Sequence, residues 1–265
     1  MVKGVSIKFK SYFETIPKLL EITKFETILK RYNSIILKPS LRNSTSVNTP
    51  VDFTEAVLQF CLANKNSGAQ IYIAEGSDGE DTHAVFESAG YNKLAEKYPI
   101  SFVDLNTAET EELFPNNAMQ FQSINYPKIL KNSLVISLPK LSPDAETEVL
   151  ASLSNMLGAY PSRHYSGFFS KNKNKIRKGP MKYVIHDIVR CKMPDVAIID
   201  ASEQGFILTG HPLEIDKQAV KLLNKDARSI QHINLINDSH LQDLEREERK
   251  RTAMEAKAKQ QAQTK

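Results

Sequence analysis

Ser133-Leu134-Val135-Ile136-Ser137-Leu138-Pro139-Lys140 and Asp195-Val196-Ala197-Ile198-Ile199-Asp200 decide the fold. Each is a short apolar run rich in β-branched residues that stops at a proline or a charge. Runs that are apolar throughout, rather than strictly alternating, suit strands buried on both faces. Ser34-Ile35-Ile36-Leu37-Lys38-Pro39 and Gln70-Ile71-Tyr72-Ile73-Ala74 read the same way, and Ile100 to Val103 supplies a fifth short strand. Val5 to Phe9 alternates, and a further strand is expected near Met119 to Ile124.

Helical spacing fills the intervals. Ile16, Leu19, Leu20, Ile22, Phe25, Ile28 and Leu29 recur at steps of three and four, and residues 52–64, 82–90, 145–157, 180–191 and 213–223 carry similar patterns. Strands alternating with helices predict an α/β fold: a single three-layer domain with a mainly parallel sheet. That domain is expected over residues 1–240. Residues 241–265 hold few large apolar side chains and many mixed charges, so they are expected as a charged C-terminal helical tail, free on the surface or used to bind a protein partner.

The chain has 265 residues, 41% apolar and 25% charged, which is ordinary for a folded domain. No signal-peptide core and no membrane-length apolar stretch is visible, which predicts a cytoplasmic protein with no membrane partner. Two cysteines, Cys61 and Cys191, cannot supply the thiolates of a four-cysteine iron–sulfur cluster. The six histidines show no zinc-binding spacing, and no serine sits in a nucleophile elbow.

Ligands of parallel sheets bind outside the carboxyl ends of the strands, so residues directly after strands are the candidates. Lys38 could fix a carboxylate or phosphate. The loop Glu75-Gly76-Ser77-Asp78-Gly79-Glu80-Asp81-Thr82 offers donors from Gly76, Ser77 and the next helix, while its carboxylates, Glu75 and Asp78 first, suit a divalent cation or a ligand carrying one. Asp81 or Thr82 could equally be a helix cap. Lys140 and Asp200, each after a strand, could share one ligand as a catalytic pair. His211 and Asp216 in the Gly210-His211-Pro212 turn and its helix complete the candidate ligand-binding set.

Lys171, Lys173, Lys175, Arg177, Lys178 and Lys182 fall within twelve residues, more positive charge than the net +4 of the whole chain. This basic 171–182 segment reads as a solvated loop, a lid over an anionic small molecule, or a nucleic-acid contact in which Tyr160, Tyr165, Phe168 and Phe169 stack on bases.

The order of these motifs resembles the uncharacterised domain family 362 (DUF362). The resemblance lies in residues 35–39, the Glu75-Gly76-Ser77 loop, Leu134 to Lys140, Leu153-Ser154-Asn155-Met156-Leu157-Gly158, Pro194 to Asp200 and Gly210 to Asp216, and it spans about residues 33–240. Some members are joined to ferredoxin-like modules, which implies redox work; any cluster here would come from a partner. Ser40, Ser142-Pro143 and Ala201 to Gly205 depart from the family pattern, which implies altered ligand chemistry or lost activity. The resemblance assigns no catalytic residue. Two functions are therefore expected: an enzyme or enzyme-derived subunit acting on an anionic small molecule, or a noncatalytic nucleic-acid-binding or assembly subunit using the basic segment and the C-terminal helix.

Overall fold

The structure is a computed structural model that describes residues 4–42, 45–168 and 170–263. Its strands are β1 (Val5–Lys8), β2 (Ser34–Pro39), β3 (Gln70–Glu75), β4 (Ser101–Asp104), β5 (Thr110–Leu113), β6 (Ile124–Pro127), β7 (Leu134–Leu138), β8 (Ser142–Asp144), β9 (Glu148–Leu150), β10 (Val196–Ala201) and β11 (Phe206–Gly210). Seven of them form one sheet in the order β1-β11-β10-β7-β2-β3-β4. β10, β7, β2, β3 and β4 run parallel, whereas β11 is antiparallel to both its neighbours. The fold is mixed α/β, as the apolar runs predict.

Both faces of the sheet are buried, and the two-residue period of a strand divides its side chains between them. Ile35, Leu37, Ile71, Ile73, Ile136 and Ile198 pack on one side with Ile16, Leu19, Phe53 and Val57, which belong to the helices Tyr12–Ile22 and Val51–Asn64. Ile36, Ala74, Val135, Ala197 and Ile199 pack on the other side with Val184, Ile188, Ala219 and Ile233. These come from the helices Met181–Cys191, Pro212–Leu222 and Gln231–Gln263. The strands read as continuous apolar runs because each face has its own helical layer.

Three expectations need correction. Residues 145–157 are not a helix; the β8–β9 hairpin and a 3-10 turn, Ser154–Ala159, occupy the segment. Oδ1 of Asp144 accepts the N–H groups of Glu146 at 3.0 Å and Thr147 at 2.7 Å, a local bond that competes with helix formation. Glu148 then adopts a φ of 68°, which a helix interior excludes. The strand expected from Met119 starts only at Ile124, because the N–H groups of Met119, Gln120 and Phe121 are all accepted by the Asp187 carboxylate. Its partner β5 has no apolar pattern to announce it.

The third correction concerns the tail. Gln231–Gln263 is one continuous helix, so the boundary expected at residue 240 falls inside it. Ile233 and Ile236 are buried, whereas Leu241 and Leu244 are about half exposed. Among the described residues no helix is long and apolar enough to cross a membrane. Both cysteines are free thiols.

Candidate functional site

The chain passes from β2 to β3 and β4 on one side, then returns to place β7 and β10 on the other. Strand order therefore reverses at β2, and the connections leaving neighbouring strands there diverge and open a crevice at the carboxyl ends. A cavity of about 300 Å3 lies there, walled by Arg42, Glu75, Asp78, Asn155, Lys173 and Arg177. Two glycines, Gly76 and Gly158, also line it. A Cβ on Gly158 would lie 2.1 Å from Glu75 Oε1 and 2.7 Å from Lys38 Nζ; one on Gly76 would lie 2.3 Å from the Gly158 oxygen. Only glycine lets the two loops close over these charges.

Lys38 and Glu75 form the floor. Lys38 Nζ, with no solvent exposure, donates to both carboxylate oxygens of Glu75 at 3.0 Å and to Asn155 Oδ1 at 3.1 Å. Burial pulls the Lys38 amine below its ordinary value, and the facing Glu75 carboxylate opposes that. Glu75 Oε1 also takes the N–H of Gly76 at 2.7 Å. Asn155 clamps the floor to the sheet by donating to the Lys38 carbonyl and to Ser137 Oγ, both at 3.0 Å.

The wall comes from the basic segment. Arg177 spans Asp78 at 2.6 Å and Glu146 at 2.7 Å. Asp78 also accepts the backbone N–H of Lys173 at 2.7 Å. Lys173 Nζ points inward, 1% exposed, and donates to the carbonyls of Gly76 at 2.6 Å and Gly158 at 3.4 Å. Burial pushes its amine down to about 8, although Glu75 and Asp78 pull the other way. Among the described residues no carboxylate lies within ion-pairing distance of this nitrogen, whereas Lys38 and Arg42 each have one and Arg177 has two.

The structure thus gathers Lys38, Glu75, Gly76 and Asp78 and separates the remaining candidates from them. Ser77 is buried beside the cavity without lining it; its Oγ has no hydrogen-bond partner among the described residues. Lys140 and Asp200 are neighbours through a backbone bridge, but their side chains part. Lys140 Nζ takes Glu203 at 2.7 Å and the Ser46 carbonyl at 2.8 Å, while Asp200 accepts Tyr12 Oη and the Ser202 N–H at 3.0 Å. Neither lines the cavity. His211 precedes the helix Pro212–Leu222 and stacks near His240, and burial lowers its pKa. Asp216 accepts the N–H groups of Ser152 and Leu153, both at 2.9 Å, and supports the Ser154–Ala159 turn from behind.

The carboxylates considered for a cation are held by cations of the protein: Glu75 by Lys38, Asp78 by Arg177. Among the described residues no group of three His, Cys, Asp or Glu side chains is arranged to hold a metal ion. Tyr160 and Tyr165 are buried and pack edge to face at 4.8 Å, as core anchors. Phe168 is exposed, and Phe169 lies outside the described residues.

Sequence reasoning missed Arg42, Asn155, Lys173 and Arg177 as members of one site. Asn155 and Gly158 fall in a motif that looks like a helix end, and Lys173 and Arg177 in the basic segment, for which a lid over an anionic small molecule is one of three readings. The family model for the domain of unknown function DUF362 matches residues 35–213, which holds every residue of this cavity. The chain belongs to the DUF362 family. No curated protein matches it. The solved structure of the lactate racemase apoprotein from Thermoanaerobacterium thermosaccharolyticum is similar to this DUF362 protein with a TM-score of 0.55 at 12% identity, a likeness of fold. The match covers 86% of this chain and 58% of that one, so the DUF362 chain spans little more than half of its structural neighbour.

Proposed function

We propose that this DUF362 protein is an enzyme or enzyme-derived subunit that binds a small anionic molecule in the cavity at the ends of β2 and β3. The observation that carries the reading is Lys173. Lys173 lines the cavity, and among the described residues its buried nitrogen contacts backbone carbonyls alone. A buried ammonium without a contacting carboxylate favours a ligand that supplies one. Arg42 and Arg177 stand at the rim, each with a side chain more than a third exposed and each already ion-paired, Arg42 with Asp144 and Arg177 with Asp78 and Glu146.

The inward placement of Lys173 favours a small molecule over nucleic acid, although Lys171, Lys175, Arg177 and Lys178 of the same segment are exposed. Lys173 is turned inward, Arg177 is engaged by two carboxylates, and Lys175 donates to the His164 carbonyl at 2.8 Å.

Lactate is the natural first probe because one solved structure of similar fold is a lactate racemase apoprotein. Calorimetric titration with lactate, oxalate and phosphate should show binding of at least one. Lys173→Met should weaken it by about 1.5–3 kcal/mol, the worth of a hydrogen bond to a charged group, or roughly tenfold to a hundredfold in Kd. Equal affinity in the variant, or no binding of any of the three to either protein, would exclude the reading.

A further inference from the structure

The rim of the cavity is bridged by the protein's own carboxylates. Two residues at the tip of the β8–β9 hairpin supply them: Asp144 takes Arg42 Nη1 at 2.8 Å, and Glu146 takes Arg177 Nε at 2.7 Å and Nη2 at 3.0 Å. The second contact is the two-pronged grip with which a guanidinium holds a carboxylate or a phosphate. Glu146 therefore fills the position that the anionic group of a bound molecule would take on Arg177.

The carboxylates around the rim are not equally fixed. Oδ1 of Asp144 is tied to its own turn by the N–H groups of Glu146 and Thr147 and by Thr147 Oγ1 at 2.9 Å. Asp78, the other partner of Arg177, also accepts the Lys173 N–H. Among the described residues the Glu146 carboxylate is bound by Arg177 alone, and its side chain is 33% exposed. A partly exposed ion pair is weak enough to exchange. Glu146 is moreover an anion in the lining of a cavity that suits anions, so in its present place it repels what enters.

We infer that Glu146 is a built-in competitor for the cavity: it holds Arg177 until an entering small anion takes its place on the guanidinium. This rests on the reading of the cavity as an anion site and adds its regulation. Arg177 lies four residues after Lys173 in the same segment, so the exchange also releases one tie on the wall that carries the buried amine.

Two measurements on the full chain test the inference. Glu146→Gln keeps the length of the side chain and removes its charge. Whichever of lactate, oxalate and phosphate binds the parent should bind this variant about twofold to fivefold tighter in calorimetry, as expected for release from a partly exposed ion pair. The chain contains no tryptophan, so Ala145→Trp at the exposed tip places a single fluorescent reporter beside Glu146. Its emission should change with anion concentration and saturate at the affinity that calorimetry gives. Equal or weaker binding by the Glu146→Gln variant overturns the inference, and so does a silent reporter in a chain that binds the anion. The anion site survives either result if binding still depends on Lys173; if none of the three anions binds the parent, both proposals fall together.

Discussion

Lys38 and Glu75 show how much a single side chain can decide in this molecule. Both are out of water, with the ammonium bridging the two carboxylate oxygens at 3.0 Å and Asn155 completing its shell. Desolvating two charges costs several kcal/mol per ion, so such a pair adds little net stability, yet removing one partner strands the other. Lys38→Met should therefore lower the unfolding free energy by about 3–5 kcal/mol. Adding Glu75→Gln should recover at least half, because a neutral amide no longer needs a counter-ion and can still accept the Gly76 N–H. A urea double-mutant cycle measures both; additive losses would mean that the pair is not the source of the cost. An arrangement that hardly stabilises the fold is easier to understand if the floor serves the cavity above it. The Lys38 and Glu75 positions were legible in the sequence because each ends an apolar strand, and ends of parallel strands converge on one edge.

At the scale of elements, three aspartates explain where sequence reading stopped. Asp144 turns a helical-looking stretch into a hairpin, Asp187 holds residues 119–121 away from a strand ladder, and Asp216 anchors the turn before Asn155 and Gly158. Each acts by accepting backbone N–H groups, for Asp187 and Asp216 from segments more than sixty residues away. Propensity and periodicity are local, so they registered the strands and most helices but not these long-range bonds. For the same reason Lys173 looked like one cation among six: nothing near it in sequence shows that Asp78, ninety-five positions earlier, folds its loop inward. Asp216 offers the clearest test of this view. It is fully buried, and burial raises its pKa to about 7 against the two backbone donors. Asp216→Ala leaves two buried N–H groups without an acceptor, each costing about 1–3 kcal/mol, so a total loss of about 2–6 kcal/mol is expected in urea unfolding. Asp216→Asn keeps one acceptor and should lose about half as much. Binding at the cavity should weaken in the alanine variant even though Asp216 never reaches it, because Asn155 and Gly158 ride on the turn it holds. A variant that unfolds like the parent would show that the turn stands without its support.

The whole molecule is a sheet sealed on both faces, and its last helix belongs to that seal only in part. Ile233 and Ile236 close one layer against the sheet, and Ser239 Oγ meets His186 Nε2 at 3.1 Å. Arg190 then pairs with Asp243 across the two helices. Beyond that point the side chains through Met254 are exposed, carry charges of both signs and bury nothing. A helix with no apolar face is held only by propensity and surface pairs such as Glu245 with Arg249, which are worth a few tenths of a kcal/mol each. Stability should therefore depend sharply on where the chain is cut. A chain ending at Glu245 keeps Ile233, Ile236 and the Arg190–Asp243 pair, and its melting temperature should stay within about 2 °C of the parent, a change worth well under 1 kcal/mol. A chain ending at Ile230 loses both isoleucines, about 3–6 kcal/mol of burial, out of a total of about 5–15 kcal/mol for a protein of ordinary stability. Thermal unfolding followed by circular dichroism separates the two cases. If the longer chain melted as low as the shorter one, the helix beyond Glu245 would have to contribute to the fold, and the division drawn at that point would fall.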